Sequence, residues 1–493
     1  MLRSAESPVT SHEDMNRMTR YVFAFAVLIA TVPSIATSQA PRATKQSAVA
    51  LVEKQRADLI RLSDQIWGFA EVGLVETQSA EVLAKYAEQN GFTVQRGVAG
   101  ISTAFVASYG AGQPIIGIMG EYDALPGISQ KATPARDVLL PGAAGHGCGH
   151  NLFGAASMGA AVAIKQMIAA GTLKGTIRFY GTPAEETIGG KIYMIREGLF
   201  KDVDVMLAWH PDDKTTADNL GAQANVQFMV EFRGRTAHAA ADPWNGRSAA
   251  DASEAFTHGI NLLREHVKPT VRMHYTVEKA GDVPNVVPDY ARVHTWVRDS
   301  RRPGVDTVFA RVKEIARGAA LIAGVEHTLT IQTGSSDMII LNRGLKLLHD
   351  NMTWIGAPTY TEAEQAFART LQGNTGQPQV GMKAELMPLA PILPDPPGGS
   401  TDVGDVSYVV PTLHFYGATA PYGVPWHAWP VVASSGMSIG HKGMVAAANT
   451  LAATAVDLFI DPTVRDALKA EWSEKTKGIT YKWLVPDGPP TKR

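Results

Sequence analysis

Seven consecutive residues carry the densest chemistry in this chain: Gly145-His146-Gly147-Cys148-Gly149-His150-Asn151. They include the only cysteine among 493 residues. Side chains two apart on extended backbone point the same way. Cys148 and His150 can therefore offer a thiolate and an imidazole to one point, a donor pair suited to zinc or a similar divalent ion. Taken alone, the pair reads equally well as a glycine-rich turn around an inert buried thiol. Three further stretches favour the metal reading. Glu121-Tyr122-Asp123 follows the apolar run 115–119, the pattern of a strand buried on both faces, and ligand sites in α/β folds lie beyond such strand ends. Asp123 is there either a supporting carboxylate or a turn residue. Glu185-Glu186 follows the strand pattern 176–180, and adjacent carboxylates face different sides, so one can bind metal while the other faces water. The run 205–208 then delivers Trp209-His210-Pro211, a third candidate donor at a strand end.

The elements that must position these groups fall into an outer frame and an insertion. Helical periodicity over 51–67 and 79–89 is followed by strand patterns at 93–95, 104–107 and 115–119. Asn151 can cap a helix running to about residue 170, and its small residues suit close packing on a sheet. At about residue 222 the pattern changes. Strands at 226–232, 271–277, 291–297 and 327–332 and helices at 248–264 and 305–323 describe a self-contained α+β unit over 223–335, with a four-stranded antiparallel sheet and two helices on one face. The frame then resumes with a helix over 340–354, the loop Gly399-Ser400-Thr401-Asp402, a strand at 412–415, and a helix over 446–459. The expected fold class is α/β: a catalytic domain with a mixed, largely parallel sheet (41–222 and 336–493), interrupted by the 223–335 unit. The charged tail after Pro462 shows no pattern.

Composition narrows the function. Hydrophobic residues make up 45% and charged residues 19%, ordinary for a packed enzyme, and the length favours two domains. A net charge of −2 with no long basic run excludes nucleic acid and an anionic membrane surface as partners. At the N-terminus, Arg17 and Arg20 precede an apolar run of about 16 residues, 21–36, with Ser38-Gln39-Ala40 beyond it. This is a signal-peptide pattern over 1–40, too short for a membrane span of roughly 20 residues, with the true start at Met15 or Met18. Export to the periplasm or outside, with no anchor on the mature chain, is the expectation. A lone cysteine there has no disulfide partner, and binding as a metal thiolate would protect it.

In order, Gly-Cys-Gly-His-Asn, Pro-Ala-Glu-Glu, Trp-His-Pro, Gly-Arg-Thr-Ala-His, Asn-Val-Val-Pro-Asp and Gly-Ser-Thr-Asp-Val-Gly-Asp resemble the amidohydrolase branch of the dinuclear aminoacylase/carboxypeptidase metallopeptidases. The set is closest within that branch to the p-aminobenzoyl-glutamate hydrolase-like proteins, and the match runs from about Val49 to Pro462. The resemblance implies two divalent metal ions, zinc or manganese, on Cys148, His150, Glu186 and His210. The last ligand is His427, with His441, fourteen residues on, as runner-up. It implies Glu185 as general base. The insertion becomes a dimerisation lid whose His238 reaches a partner's site, with Asn285 helping to hold substrate and Asp123 and Asp402 in supporting places. Arg298 and Arg235 are candidates for binding a substrate carboxylate, because a guanidinium fork matches it bidentately. The implied activity is hydrolysis of N-acyl or N-aroyl amino acids, or small peptides, with a free carboxylate, by a homodimer or a heteromer with a related subunit. A dinuclear aminopeptidase or dipeptidase, and an inactive ligand-binding relative, are the alternatives.

Overall fold

The computed structural model describes residues 40–490, which belong to one compact unit, Ser38–Arg493. The expected signal segment lies outside the described residues, apart from its last residue, Ala40.

Two sheets organise the chain. The first has seven strands in the order β1-β2-β4-β3-β5-β11-β6. These are β1 (Thr93–Arg96), β2 (Phe105–Gly110), β3 (Ile115–Gly120), β4 (Thr176–Gly181), β5 (Val205–Asp212), β6 (Thr216–Ala217) and β11 (Thr412–Ala418). The central four, β4-β3-β5-β11, run parallel, while β1, β2 and β6 add antiparallel edges. Parallel neighbours need long returns, and helices provide them. The helix His150–Ala169 and the late helix Ser438–Ile460 are almost wholly buried against this sheet and each other. Their Gly and Ala residues allow that approach: a Cβ on Gly154 would come within 2.7 Å of the Glu121 carbonyl.

The second sheet is four-stranded and antiparallel, in the order β10-β7-β9-β8. Its strands are β7 (Ala224–Arg233), β8 (Arg272–Ala280), β9 (Tyr290–Asp299) and β10 (Glu326–Ser335). The helices Ala249–Leu263 and Arg302–Ala323 pack on one face over a separate apolar core that includes Phe228, Phe232, Phe256 and Phe309. On β9 burial alternates strictly. Ala291, Val293, Thr295 and Val297 therefore face the helices, and Arg292, His294, Trp296 and Arg298 take the open face.

Three local features differ from the sequence reading. Asn151 is not the N-cap: Gly149, at φ 77°, holds that place, and the buried Asn151 amide instead donates to Ser63 Oγ and the Ser435 carbonyl. A cap must stay outside the helix, whereas Asn151 is needed inside to tie three segments. The tail after Asp461 is a helix, Pro462–Lys475, with Asp461 as cap and Pro at its first turn, the usual asymmetry of helix starts. The early helical pattern is two helices, Arg42–Lys54 and Arg56–Phe69.

Candidate metal centre and active site

The chemistry-bearing residues gather beyond the C-terminal ends of the parallel strands. Glu121 and Asp123 follow β3, Glu185 and Glu186 follow β4, His210 lies near the end of β5, and Cys148 and His150 open the helix His150–Ala169. His427 arrives from the loop after β11. Three candidate ligand sets result, one of them Glu121, His150 and Glu185, and the other two share a residue. The donor atoms of Cys148, His150 and His210 lie within 4.8 Å of one another, as do those of Cys148, Glu186 and His427. Cys148 belongs to both. Its Sγ is 3.3 Å from His210 Nε2, and His427 Nε2 is 3.5 Å from Glu186 Oε1.

The backbone is shaped for this meeting. A Cβ on Gly147 would lie 2.3 Å from Ile128 Cδ1, and one on Gly149 2.8 Å from Pro211 Cβ, so only glycine lets Cys148 close on its neighbours. The Gly147 carbonyl accepts the His427 N–H at 3.0 Å. His427 at φ 55° and Ala184 at φ 60° both occupy the left-handed region, a strain of order 1 kcal/mol or more for a non-glycine residue. Ala184 is pinned by Glu76, whose Oε1 accepts its N–H at 2.7 Å, and that fixes where Glu185 begins.

The donor set suits divalent ions. The His150 Nδ1–H donates to Asp123 Oδ1 at 2.9 Å, and the His210 Nδ1–H donates to the Pro211 carbonyl at 2.7 Å. Each ring is thereby locked with Nε2 turned toward the cluster, the arrangement that orients metal-binding histidines. His150 Nε2 and Glu121 Oε2 are 3.0 Å apart yet make no hydrogen bond, and with Glu186 Oε1 they are buried polar atoms lacking a protein partner. Such atoms are rare in folded proteins and mark an absent ligand or ion.

Electrostatics agree. Burial, then Glu186, pushes the Cys148 thiol well above its ordinary value, so a thiolate there needs a cation beside it. Burial lowers the His150 imidazole, but Cys148, Glu121 and Asp123 outweigh it and raise it well above the usual histidine range. His210 is driven well below that range by burial and by His150. Glu185 is raised well above an ordinary carboxylate by burial, then by Glu121, Glu186 and Asp402. Beneath the cluster lies a buried ammonium, Lys191 Nζ, 2.6 Å from Glu121 Oε1 and 2.6 Å from Asp402 Oδ1.

A cavity of about 530 Å³ opens over the ligands, within the range of small-molecule sites. Its far wall is the open face of the second sheet, including Asn225, Gln227, Trp296 and Arg298. The Arg298 guanidinium stacks on the Trp296 ring at 4.6 Å and donates to Ser400 Oγ at 3.4 Å. No carboxylate lies within ion-pair reach of it among the described residues. Asp123 and Asp402 sit beneath the site, one holding the His150 ring and the other the Lys191 ammonium.

Other candidates lie elsewhere. His238 and Asn285 share an exposed loop pair on the lid, joined by the His238–Val286 bridge and the Ala239 N–H bond to the Asn285 carbonyl, and neither lines the cavity. Arg235 is exposed and donates to the Asn245 carbonyl. His441 is on the late helix and paired with Asp64 at 2.8 Å, outside all three ligand sets. Sequence reasoning placed Glu121 only as a carboxylate at a strand end and gave no role to Lys191, Glu76, Trp296 or the His414–Asp218 pair. The alternation of β9 could have put Trp296 beside Arg298, whereas nothing local marks Lys191.

Residues 117–369 match Peptidase family M20/M25/M40. The chain belongs to that family. One of the p-aminobenzoyl-glutamate hydrolase subunits from Escherichia coli is 37% identical over 463 residues, covering 88% of this chain and 96% of that one. The mouse (Mus musculus) Xaa-Arg dipeptidase is 28% identical over 449 residues, covering 87% and 92%. Among solved structures, an aminobenzoyl-glutamate utilization protein from Klebsiella pneumoniae superposes with TM-score 0.58 at 19% identity, covering 82% of this chain and 96% of that one. A dinuclear metal binding peptidase from Bacillus subtilis gives 0.58 at 17%, covering 83% and 99%. The chain is a metal-dependent hydrolase acting on amide bonds.

Proposed function

We propose that this enzyme hydrolyses the amide bond of N-acyl or N-aroyl amino acids carrying a free carboxylate, using two divalent ions, zinc or manganese. The observation that carries this reading is the pair of ligand sets sharing Cys148, set beside Glu185 and facing an unpaired Arg298 across one cavity. Cys148, His150 and His210 would hold one ion, and Cys148, Glu186 and His427 the other. Such ions supply Lewis acidity toward a carbonyl and make water acidic near neutral pH.

This chain's own residues do the rest. Glu185, adjacent to a ligand and outside the two sets that share Cys148, takes a proton from the attacking water at its carboxylate and returns it to the departing amine. Its buried, acid-rich surroundings favour accepting that proton, and divalent charge nearby would pull its pKa back toward neutrality. Arg298 binds the substrate carboxylate, held flat by Trp296, and the aromatic walls exclude water. Asp123 and the Pro211 carbonyl keep the imidazoles aimed. His238 stabilises the developing oxyanion from a partner chain; its exposed place on the lid, away from its own cavity, supports that role. The p-aminobenzoyl-glutamate named for the Escherichia coli relative is one compound of the proposed class. That relative is one subunit of its enzyme, which makes a heteromer with a second, related chain a further possibility for assembly. Arg17, Arg20 and the run 21–36 support export.

A dipeptidase is the second reading. Asp212 lines the cavity, forms no ion pair among the described residues, and is raised to about 7 by burial and by Asp213. A free amine on the substrate would fit it.

One assay separates the readings: metal-loaded protein is given N-benzoyl amino acids with free carboxylates and, separately, free-amine dipeptides and amino-acid amides. The proposal expects the benzoyl substrates to turn over and Glu185→Gln to lose at least ~10²-fold in kcat while keeping its metal. Turnover of free-amine substrates alone would transfer the enzyme to the second reading, and near wild-type activity in Glu185→Gln would remove the mechanism.

A further inference from the structure

One buried polar pair, of which His414 lines the cavity and Asp218 lies behind it, has no part in the mechanism above. His414, on β11, is 6% exposed, and Asp218 is 1% exposed. The His414 Nδ1–H donates to Asp218 Oδ2 at 2.8 Å. The other ring nitrogen, Nε2, makes no hydrogen bond among the described residues, and the ring lines the cavity. Tyr416 stands edge-on to it with ring centres 5.0 Å apart, and the same ring stands edge-on to His210 at 6.2 Å. Tyr416 is paired directly across from His210 in the sheet. His414 is therefore one same-face step, about 7 Å, along β11 from that position, near enough for one substrate to touch both the centre and this ring.

Asp218 has a second attachment. Its Oδ1 accepts the N–H groups of Leu220 at 3.1 Å and Gly221 at 2.9 Å, and its own N–H donates to the His414 carbonyl at 3.2 Å. Those residues form the first of the two connections between the sheets. The connection is braced further on, where the Gln223 N–H donates to the Gly399 carbonyl at 2.9 Å, next to the Ser400 that receives Arg298. Hydrogen bonds joined by short stretches of chain, 221–223 and 399–400, thus connect His414 to Arg298. A buried carboxylate–imidazole pair is often no more stabilising than apolar packing of equal volume, so its presence is weak evidence of a purely structural role.

We propose that His414 is a further substrate-contacting residue. Its Nε2 hydrogen-bonds the arm of the substrate that lies over β11, and Asp218 is the positioning residue that fixes the ring and joins it to the lid connection. This rests on reading the cavity as the substrate site of an amide hydrolase.

Two conservative variants of the metal-loaded full chain separate contact from support. The amide of His414→Asn falls where Nδ1 was and keeps the Asp218 bond, whereas that of His414→Gln falls where Nε2 was and keeps the reach into the cavity. The proposal expects His414→Asn to lose roughly 10- to 100-fold in kcat/KM, the range for one lost hydrogen bond involving a charged group, with unfolding midpoint and metal content unchanged. It expects His414→Gln to recover most of that activity but to show faster hydrogen exchange at the Leu220 and Gly221 amides. For substrates trimmed in turn on the acyl side and on the amino-acid side, one trimmed form should become insensitive to His414→Asn. Wild-type kinetics in His414→Asn, or an equal loss on every trimmed substrate, overturns the contact while leaving the hydrolase reading intact. If the wild type hydrolyses no member of the substrate panel, both fall.

Discussion

Removing the buried ammonium under the site should be strongly destabilising. Lys191 has no exposed side-chain area, and its two partners, Glu121 and Asp402, are 1% and 2% exposed. Burial opposes its charge, yet Asp402, Glu121 and Glu185 raise its pKa far above the lysine range. Lys191→Met keeps the volume and strands two carboxylates that had both been 2.6 Å from one cation. Breaking a buried pair in this way costs about 3–5 kcal/mol, a large share of the roughly 5–15 kcal/mol that stabilises a domain. The pH dependence follows from the carboxylates. Burial already raises the Glu121 carboxyl with the ammonium in place, and losing that cation raises it further, so the folded state holds a proton that the unfolded state has lost. The deficit therefore grows as pH rises from about 4 toward neutrality and shrinks on acidification. Urea unfolding of metal-loaded wild type and variant at about pH 7.5 and about pH 5 measures this through the midpoint at constant slope. Glu121→Gln and Asp402→Asn added to Lys191→Met should restore most of the loss. A neutral-pH loss under about 1 kcal/mol, or one identical at both pH values, would refute the reasoning.

Two further outcomes follow from the site. His427→Ala should lower metal affinity by ~10-fold or more, while His441→Ala, which only releases Asp64, should keep its metal; the reverse pattern in metal analysis would reassign the ligand. Glu76 is raised from 4.5 to about 8 by burial and then by Asp123. The folded state keeps its proton between those values while the unfolded state does not, so stability should fall as pH rises through that window, by at most about 1.4 kcal/mol per pH unit. Glu76→Gln, neutral throughout, should lack that slope in denaturant titrations, and an unchanged slope would show that Glu76 is ionised.

What was legible in the sequence followed from period and order. The continuous apolar run before Glu121 marked a buried central strand, and the succession of strand and helix patterns over 223–335 marked a self-contained α+β unit. Cys148, His150, the Glu185–Glu186 pair and His210 were legible because each lies in the glycine-rich stretch or at the end of a buried strand, whereas His427, and the choice of Glu186 over Glu185 as ligand, rested on the family resemblance. What was hidden depends on long-range pairing. Lys191 reads as an ordinary helix lysine until Glu121 and Asp402 close on it from 70 and 211 residues away. Asn151 has the composition of a cap and the burial of a tie. His414 looked like one residue of an apolar strand because its partner, Asp218, comes from the connection to the lid. Arg298 and Arg235 were equivalent as residue types, and only the sheet's open face distinguishes the one in the cavity.

If one thiolate serves two metal sites, the number of ions bound per chain must depend on Cys148. Metal analysis after equilibration at limiting free zinc or manganese should find two ions per wild-type chain, one in His427→Ala, and neither held tightly in Cys148→Ala. Two tightly held ions in Cys148→Ala, or a single ion in the wild type, would rule out a shared thiolate.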